Sequence, residues 1–222
     1  MISINEIYET VQNLAQKAQH GAITVTEFNK YANMASIDLF NEKLGSPRDY
    51  YKLQKAISKT SSSMNKEIDQ SLRPFLKRDV PITITSNKGT IPTDNEYVDV
   101  ITYNTKSVKW VPNNKISSYL NSTIDVPTVL YPIYTDLETQ IEVYPSMIAT
   151  VLMTYYGTPK TVKWNYTIVS GRPVYASTGS VDYEWYQTQK LDLINRILAY
   201  VGITIRDVEM VQYATNEENT IA

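Results

Sequence analysis

The chain has 222 residues, among them 18 tyrosines, one histidine and no cysteine, and its formal net charge is −2. The lack of cysteine excludes disulfides, thiolate metal sites and cysteine nucleophiles. The small net charge gives no overall attraction to nucleic acid or to an anionic membrane. With one histidine and seven glycines, a histidine-based triad and a glycine-rich phosphate loop are both disfavoured. We therefore predict a protein that is not an enzyme and that binds no metal or cofactor.

Two helices are predicted at the start of the chain. An S-x-x-E capping box at Ser3 and Glu6 begins an apolar stripe that continues to residue 19. Thr24 and Glu27 repeat the pattern, and Gly45 is predicted to end the second helix. One face of this second helix carries Phe28, Ala32, Ala35 and Leu39. The short connection predicts a helical hairpin.

The next section is also predicted to be helical, and it is strongly basic. It starts at Pro47, is interrupted at residues 60–63, and ends at Pro74. Residues 43–78 hold nine Lys or Arg against three acids, whereas residues 182–222 hold seven acids against three bases. A solvated face explains either asymmetry. A second hypothesis is that opposite patches meet between copies, or that the basic side chains face a DNA-filled channel. The candidate residues are Lys52, Lys55, Lys59 and Arg73.

From residue 80 onward the apolar pattern alternates with a period of two, which predicts strands. Proline and glycine clusters separate the alternating runs and mark turns. The predicted strands cover residues 80–84, 97–103, 137–144, 148–156 and 162–168. Strands at this spacing indicate an antiparallel β lobe.

The chain then returns to helix. We predict a helix over residues 187–201 that stops at Gly202, with an apolar face made of Leu191, Ile194, Ile197, Leu198 and Val201. A last helix is predicted over residues 204–213. The order helices, strands, helices predicts an α+β fold. Residues 1–78 and 186–213 would form a helical bundle, residues 79–185 an inserted antiparallel β lobe, and residues 214–222 a flexible tail.

Several side chains are candidates for catalytic chemistry. His20 lies at a helix C-terminus, where a cation is favoured, and this structural role is preferred over that of a general base. A glycosidase needs two acids about 5–10 Å apart, but solvent-facing strand residues give the same pattern. The carboxylates concerned are Asp94, Glu96, Asp99, Asp136, Glu138, Glu142, Asp182 and Glu184.

The aromatic side chains of the strands are the other candidates. Tyr155, Tyr156, Trp164 and Tyr166 would suit a platform for sugars or bases. A sheet core combined with a subunit interface is the preferred interpretation, because tyrosine joins a large apolar ring to a polar tip. Tyr155, Tyr156 and Trp164 are accordingly predicted interface residues, and Trp185 joins them.

Several short segments, taken in order, resemble the head–tail connector proteins of tailed phages that infect Bacteroides, including the crAss-like group. The resemblance spans residues 21–202. The segments are residues 21–29 (GAITVTEFN), 35–40 (ASIDLF), 71–75 (SLRPF), 126–133 (VPTVLYPI), 141–145 (IEVYP), 152–160 (LMTYYGTPK) with Trp164, and 180–185 (SVDYEW).

This resemblance implies a structural virion protein, made in the host cytoplasm, that forms a ring of twelve copies in the neck. The ring would join the portal protein to other neck or tail proteins and surround the channel through which genomic DNA leaves. No catalytic residues and no membrane contact are implied. The alternative is a virion-associated module that binds carbohydrate or a receptor, which would expose Trp164 and Tyr155 on a concave face.

Overall fold

A computed structural model describes residues 1–17, 22–54 and 70–202, and of residues 46–54 it describes the backbone alone. It shows the predicted α+β class: helices from both ends of the chain, with a largely antiparallel β lobe between them. The chain forms two compact units. The first comprises residues 1–71 with residues 159–222, and the second comprises residues 72–158.

The described part of the first unit contains three α-helices: α1 (Ile4–Lys17), α2 (Val25–Gln54) and α4 (Lys190–Tyr200). The predicted capping box of α2 is present, because the Glu27 N–H donates to Thr24 Oγ1 (3.3 Å) and the Thr24 N–H donates to the Glu27 carboxylate (3.1 Å). The Thr24 hydroxyl (2.7 Å) and the Thr24 N–H both donate to the Glu27 carboxylate and hold the pKa of Glu27 below its usual value. The predicted face of α2, made of Phe28, Ala32, Ala35 and Leu39, is fully buried.

The predicted end of α2 at Gly45 is wrong. The helix continues through Gly45 and Pro47 to Gln54, so residues 47–54 of the element predicted to begin at Pro47 are part of α2. Gly45 does not adopt the positive φ that ends a helix, whereas Gly202 does, with φ +82° after α4. A glycine lowers helix stability by about 1 kcal/mol, which does not by itself stop a helix.

A short strand pair also belongs to the first unit. Strands β9 (Tyr166–Val169) and β10 (Arg172–Tyr175) form an antiparallel hairpin. The predicted strand over residues 162–168 is therefore a strand only from Tyr166, and its first half is extended chain. On α4, the predicted face holds for Ile194, Ile197 and Leu198, but Leu191 is 66% exposed and Leu193 is buried instead.

The second unit contains two four-stranded sheets. Their orders are β1-β8-β3-β4 and β2-β7-β6-β5, and every neighbouring pair is antiparallel except β5 with β6. A single apolar cluster joins side chains of both sheets, for example Ile101, Met153 and Ile141. The strands are β1 (Leu76–Thr83), β2 (Lys88–Thr90), β3 (Asn95–Tyr103), β4 (Lys106–Ser107), β5 (Lys109–Trp110), β6 (Ile133–Asp136), β7 (Gln140–Tyr144) and β8 (Thr150–Gly157), with a short helix α3 (Ile116–Leu120) after β5.

The boundaries of the units differ from those predicted. Residues 159–185, assigned from sequence to the β lobe, pack with the helices. Tyr183 and Trp185 are buried there, and their polar atoms reach α2: the Tyr183 hydroxyl donates to the Ala32 carbonyl (3.3 Å) and Trp185 Nε1 donates to Ser36 Oγ (2.9 Å). The predicted helix over 204–213, the tail 214–222, the break at 60–63 and His20 lie outside the described residues.

We predict that Gly45→Ala raises the free energy of unfolding by about 0.5–1 kcal/mol. A Cβ at Gly45 meets no atom within 4 Å, and alanine is the better helix former. Urea unfolding followed by circular dichroism measures the change. The matched control, Gly202→Ala, should lower stability because the φ of Gly202 is left-handed. If Gly45→Ala were as destabilising as Gly202→Ala, the helix would end at Gly45.

Candidate assembly surfaces

Two asparagines of α2 bind the backbone of the extended segment that precedes β9. Asn33 accepts from the Val162 N–H (2.8 Å) and donates to the Val162 carbonyl (2.9 Å). Asn29 does the same for Trp164, at 2.7 and 3.1 Å. Four helical residues advance by about 6 Å and two strand residues by about 6.6 Å, so the two repeats match. The amides therefore replace a neighbouring strand along this edge.

The opposite edge of the same segment pairs with backbone. Lys163 exchanges two hydrogen bonds with Val181 (3.1 and 2.8 Å), and the Asn165 carbonyl accepts from the Ala176 N–H (2.9 Å). Since alternate residues of a strand direct their backbone groups to opposite edges, the odd-numbered residues of 163–169 face this partner. The even-numbered ones face the α2 side.

Aromatic rings pack around Trp164. The ring of Trp164 stacks on Tyr8 with centroids 4.0 Å apart, and Trp164 lies 5.9 Å from Tyr166 and 5.8 Å from Tyr175. Trp164 Nε1 donates to Asn5 Oδ1 (2.9 Å), which satisfies the buried indole. The stack runs from the core of the unit to the base of the β9–β10 hairpin.

The hairpin itself is exposed. Its two-residue turn, Ser170-Gly171, has positive φ at both positions (49° and 78°), as a type I′ turn requires. All four residues of β9 and the first three of β10 are exposed. One face carries Tyr166, Ile168, Pro173 and Tyr175, which are all apolar or aromatic.

A second exposed apolar stretch lies in the other unit, in the loop between α3 and β6. Ile124 is 90% exposed, Tyr131 76% and Leu130 64%, and Val126 and Val129 are also exposed. This loop contains bends, turns and an isolated β-bridge between Thr128 and Tyr131, and no strand. Runs of exposed large apolar side chains are typical of interaction sites.

A charged cluster fixes the loop before β3 within the second unit. Lys77 pairs with the Asp94 carboxylate, and the Tyr155 hydroxyl donates to Asp94 Oδ1 (2.9 Å). The bond from Lys77 and the bond from Tyr155 hold the pKa of Asp94 below its usual value, against partial burial. Burial, together with the bond to Asp94, raises the pKa of Tyr155. The arrangement ties the loop to β8.

Other candidate carboxylates also have structural partners. Asp182 accepts from the Ile4 N–H at the start of α1 (2.8 Å), and Glu184 pairs with Lys160 (2.8 Å). Asp136 accepts from Trp110 Nε1 (2.6 Å), and Glu142 pairs with Lys88 (3.5 Å).

Most of the predicted interface aromatics are core residues. Trp164, Trp185 and Tyr155 are 3%, 0% and 2% exposed, and Tyr156 is half-buried. The prediction that these buried rings form an intersubunit surface is therefore corrected: each packs inside its own unit. Tyr155 and Tyr156 belong to the second unit and Trp164 to the first, so the four-residue platform is not assembled within one unit.

The predicted basic residues are only partly described. Arg73 is exposed in a 3-10 turn (Arg73–Phe75) that leads into β1. Lys52 lies on α2, of which only the backbone is described at that point, and Lys55 and Lys59 lie outside the described residues. Their predicted position facing DNA or a neighbouring copy stays a prediction.

Sequence reasoning missed Ile168, Ile124 and Leu130 as surface residues. Ile168 continued an alternating pattern whose earlier members, Val162 and Trp164, are buried, so the pattern alone indicated burial. The pair Ser170-Gly171 was a usable signal, because a two-residue turn between strand-forming runs predicts a β-hairpin. Ile168 lies two residues before this turn, near the tip of the hairpin.

Searches with protein-family models and against curated protein sequences give no match to this chain. Within residues 1–17, 22–54 and 70–202, no group of three or more His, Asp or Glu side chains is placed to hold a metal ion. None of the helices in this part of the chain has the length and hydropathy of a membrane span.

We predict that Asn29→Asp destabilises the protein at neutral pH. The change replaces the amide donor with a carboxylate oxygen that faces the Trp164 carbonyl, so the folded-state pKa of the introduced carboxyl is raised. A raised carboxyl pKa penalises folding above that pKa, and the penalty disappears as pH falls below the unfolded value of about 4. Unfolding midpoints at pH 7 and pH 3.5 should therefore differ from wild type by less at the lower pH. Asn13→Asp, at an exposed site on α1, should show no such recovery.

We predict that Asp94→Asn changes the acid sensitivity of the second unit. Because the folded-state pKa of Asp94 is depressed, the carboxylate stabilises the fold above its unfolded pKa, and this stabilisation is lost as pH falls through the folded value. Wild type should be more stable than Asp94→Asn at pH 7, and in urea unfolding the difference should shrink as pH falls below the unfolded pKa of about 4. Glu96→Gln, at an exposed neighbouring position, is the control. A constant difference between wild type and Asp94→Asn at all pH values would contradict the assignment.

Proposed function

We propose that this chain is a structural virion protein that assembles into a homo-oligomeric ring, joining the portal to the tail of a phage around the DNA exit channel. The protein would be made in the host cytoplasm and reside in the neck of the virion. The proposal combines the resemblance of residues 21–202 to phage head–tail connectors with one structural observation, the exposed β9–β10 hairpin.

The hairpin carries the proposal because, among the described residues, its packing is limited to its base, where Tyr166 and Tyr175 contact Trp164. A two-stranded hairpin is marginally stable alone and usually requires a further strand or a packed face. Here Ile168 is 63% exposed, and Val169 and Val174 are about half exposed. Exposed apolar side chains on a protruding element favour a protein interface over a catalytic surface.

The second exposed stretch, in the loop between α3 and β6, supports a ring specifically. A subunit that has two different exposed apolar surfaces can make a heterologous contact. In such a contact the first surface of one copy binds the second surface of the next copy. Such contacts form a ring when the rotation closes. A connector needs this self-contact in addition to its contacts with the portal and with the next neck or tail protein.

The alternative function, a carbohydrate- or receptor-binding module, required Trp164 and Tyr155 to be exposed on a concave face. Both side chains are buried, so nothing about them favours that alternative. Five of the candidate hydrolase carboxylates have structural partners and serve the fold: Asp94, Asp136, Glu142, Asp182 and Glu184.

The test is cryo-electron microscopy of the chain mixed with the portal protein encoded in the same genome, together with analysis of purified particles. We expect a closed ring of density beneath the portal and the chain among the particle proteins. Its absence from purified particles would refute the proposal, and a position on a peripheral fibre would favour the receptor-binding module.

A matched pair of variants tests the role of the hairpin. Ile168→Asp should reduce ring formation on the portal by at least about tenfold, because burying one isoleucine contributes roughly 1.5–3 kcal/mol. Leu191→Asp, at an equally exposed site on α4 (66%), should leave ring formation unchanged. Both substitutions are on the surface, so circular dichroism should show an intact fold in each. Equal effects of the two variants would show that the hairpin has no special role.

A further inference from the structure

We propose that the hairpin β9–β10 of each copy docks on the apolar loop of residues 124–131 of the next copy, so that this pair of surfaces is the contact repeated around the ring. The inference rests on the proposed function and names the two surfaces that make the self-contact. The observations that carry it are an open strand edge, an apolar hairpin face, and opposite charge on the two surfaces.

The open edge belongs to β9. On this edge the backbone of Val162 and Trp164 is bound by Asn33 and Asn29. One helical turn before Asn29 lies Val25, the first residue of α2. Its apolar side chain has no amide that could bind the next residue of this edge. Among the described residues, the backbone groups of Tyr166 and Ile168 on this edge have no partner. An edge of this kind is a template for added chain.

The other outer strands carry features that oppose pairing, although β4 covers only Thr102 and Tyr103 of β3. On β10, Pro173 opposes Ile168 and lacks the N–H that would face outward. The edge strand β1 contains Pro81, has a bulge between Lys77 and Val80, and carries charged side chains there. Bulges, prolines and charges are the features that prevent unwanted strand pairing. The edge strands β2, β4 and β5 are only two or three residues long, and such short edges also oppose pairing.

β9 differs from these edges in composition. Its sequence, Tyr-Thr-Ile-Val, is uncharged and made of residues that favour strands. A segment that binds the exposed face of β9 should therefore carry apolar side chains. The loop of residues 124–131 supplies such chain, because Ile124, Leu130 and Tyr131 are each more than half exposed.

Charge favours the same pairing. Residues 159–181 contain Lys160, Lys163 and Arg172 and no acid, whereas the loop of residues 124–131 contains Asp125 and no base. Lys160 pairs with Glu184 in its own unit. Neither Lys163 nor Arg172 forms an ion pair with any residue that the structure describes. Opposite charge around an apolar contact increases its rate of formation and its specificity.

Because the chain has no cysteine, paired single-cysteine variants give a direct test. One preparation carries Ile168→Cys and a second carries Ile124→Cys, Leu130→Cys or Tyr131→Cys, and the two are mixed, assembled on the portal and oxidised. A disulfide requires Cα atoms within about 7 Å, so we expect a mixed dimer on a non-reducing gel with at least one of the three partners. Using separate chains excludes a bond within one copy.

Met147→Cys is the matched control, since Met147 is 81% exposed in the same unit and lies outside the loop. We expect its yield with Ile168→Cys to be at least about tenfold lower than that of the best loop partner.

Each remaining outcome overturns the inference. Dimers from Ile168→Cys alone would mean that two hairpins pair with each other about a two-fold axis. Rings that form on the portal without any mixed disulfide to the loop would refute this contact and leave the proposed function standing. Failure to form rings at all would refute the proposed function, and the inference would fall with it.

Discussion

The pairing of two asparagine side chains with the backbone of residues 162 and 164 determines how the first unit is built. It joins α2, near the start of the chain, to a segment more than 120 residues later. Each amide both donates and accepts, so the exposed strand edge is satisfied as a neighbouring strand would satisfy it. The interaction fixes the register of the segment, because a shift of one residue would present the wrong backbone edge to α2.

Several other features follow from that register. With residues 162 and 164 facing α2, Trp164 packs on Tyr8 of α1, and Lys163 meets Val181 on the other edge. The chain after Val181 then returns to the core: Ile2 and Tyr183 exchange backbone hydrogen bonds of 3.3 and 3.1 Å. The N-terminal helices and the C-terminal segment thus share one core. The hairpin β9–β10 lies beyond the segment that the side-chain amides of Asn29 and Asn33 bind.

The sequence was sufficient for features that depend on local rules. The capping box at Thr24 and Glu27, the buried face of α2 and the left-handed Gly202 each follow from residues a few positions apart. The continuation of α2 past Gly45 was not predictable in this way, because a glycine ends a helix only if the following contacts favour a left-handed turn. The assignment of residues 159–185 to the first unit depends on Asn29 and Asn33, whose role needs partners 129 and 135 residues away.

The surfaces were harder to predict than the core, and tyrosine shows why. An excess of tyrosine suggested interfaces, yet Tyr183 and Tyr155 are buried, and each reaches a polar acceptor: the Ala32 carbonyl for one and Asp94 for the other. Tyrosine serves a core as well as a surface when its hydroxyl finds a partner. Composition therefore does not separate the two uses. What separates them is whether backbone and ring have partners within the chain, and this is a property of the folded structure.

The same criterion explains why the proposed assembly surface is small. A long, flat, uncharged strand edge would pair without selectivity and lead to aggregation. Here the amides of Asn29 and Asn33 cover half of the even-numbered edge, and Pro173 lacks an N–H on the far side of the hairpin. Within the described part of the chain, the backbone groups of Tyr166 and Ile168 have no partner on this edge. Two residues give too few hydrogen bonds for stable pairing with an arbitrary strand. Pairing becomes favourable only when apolar side chains and opposite charge are added by the partner, and that requirement selects the partner.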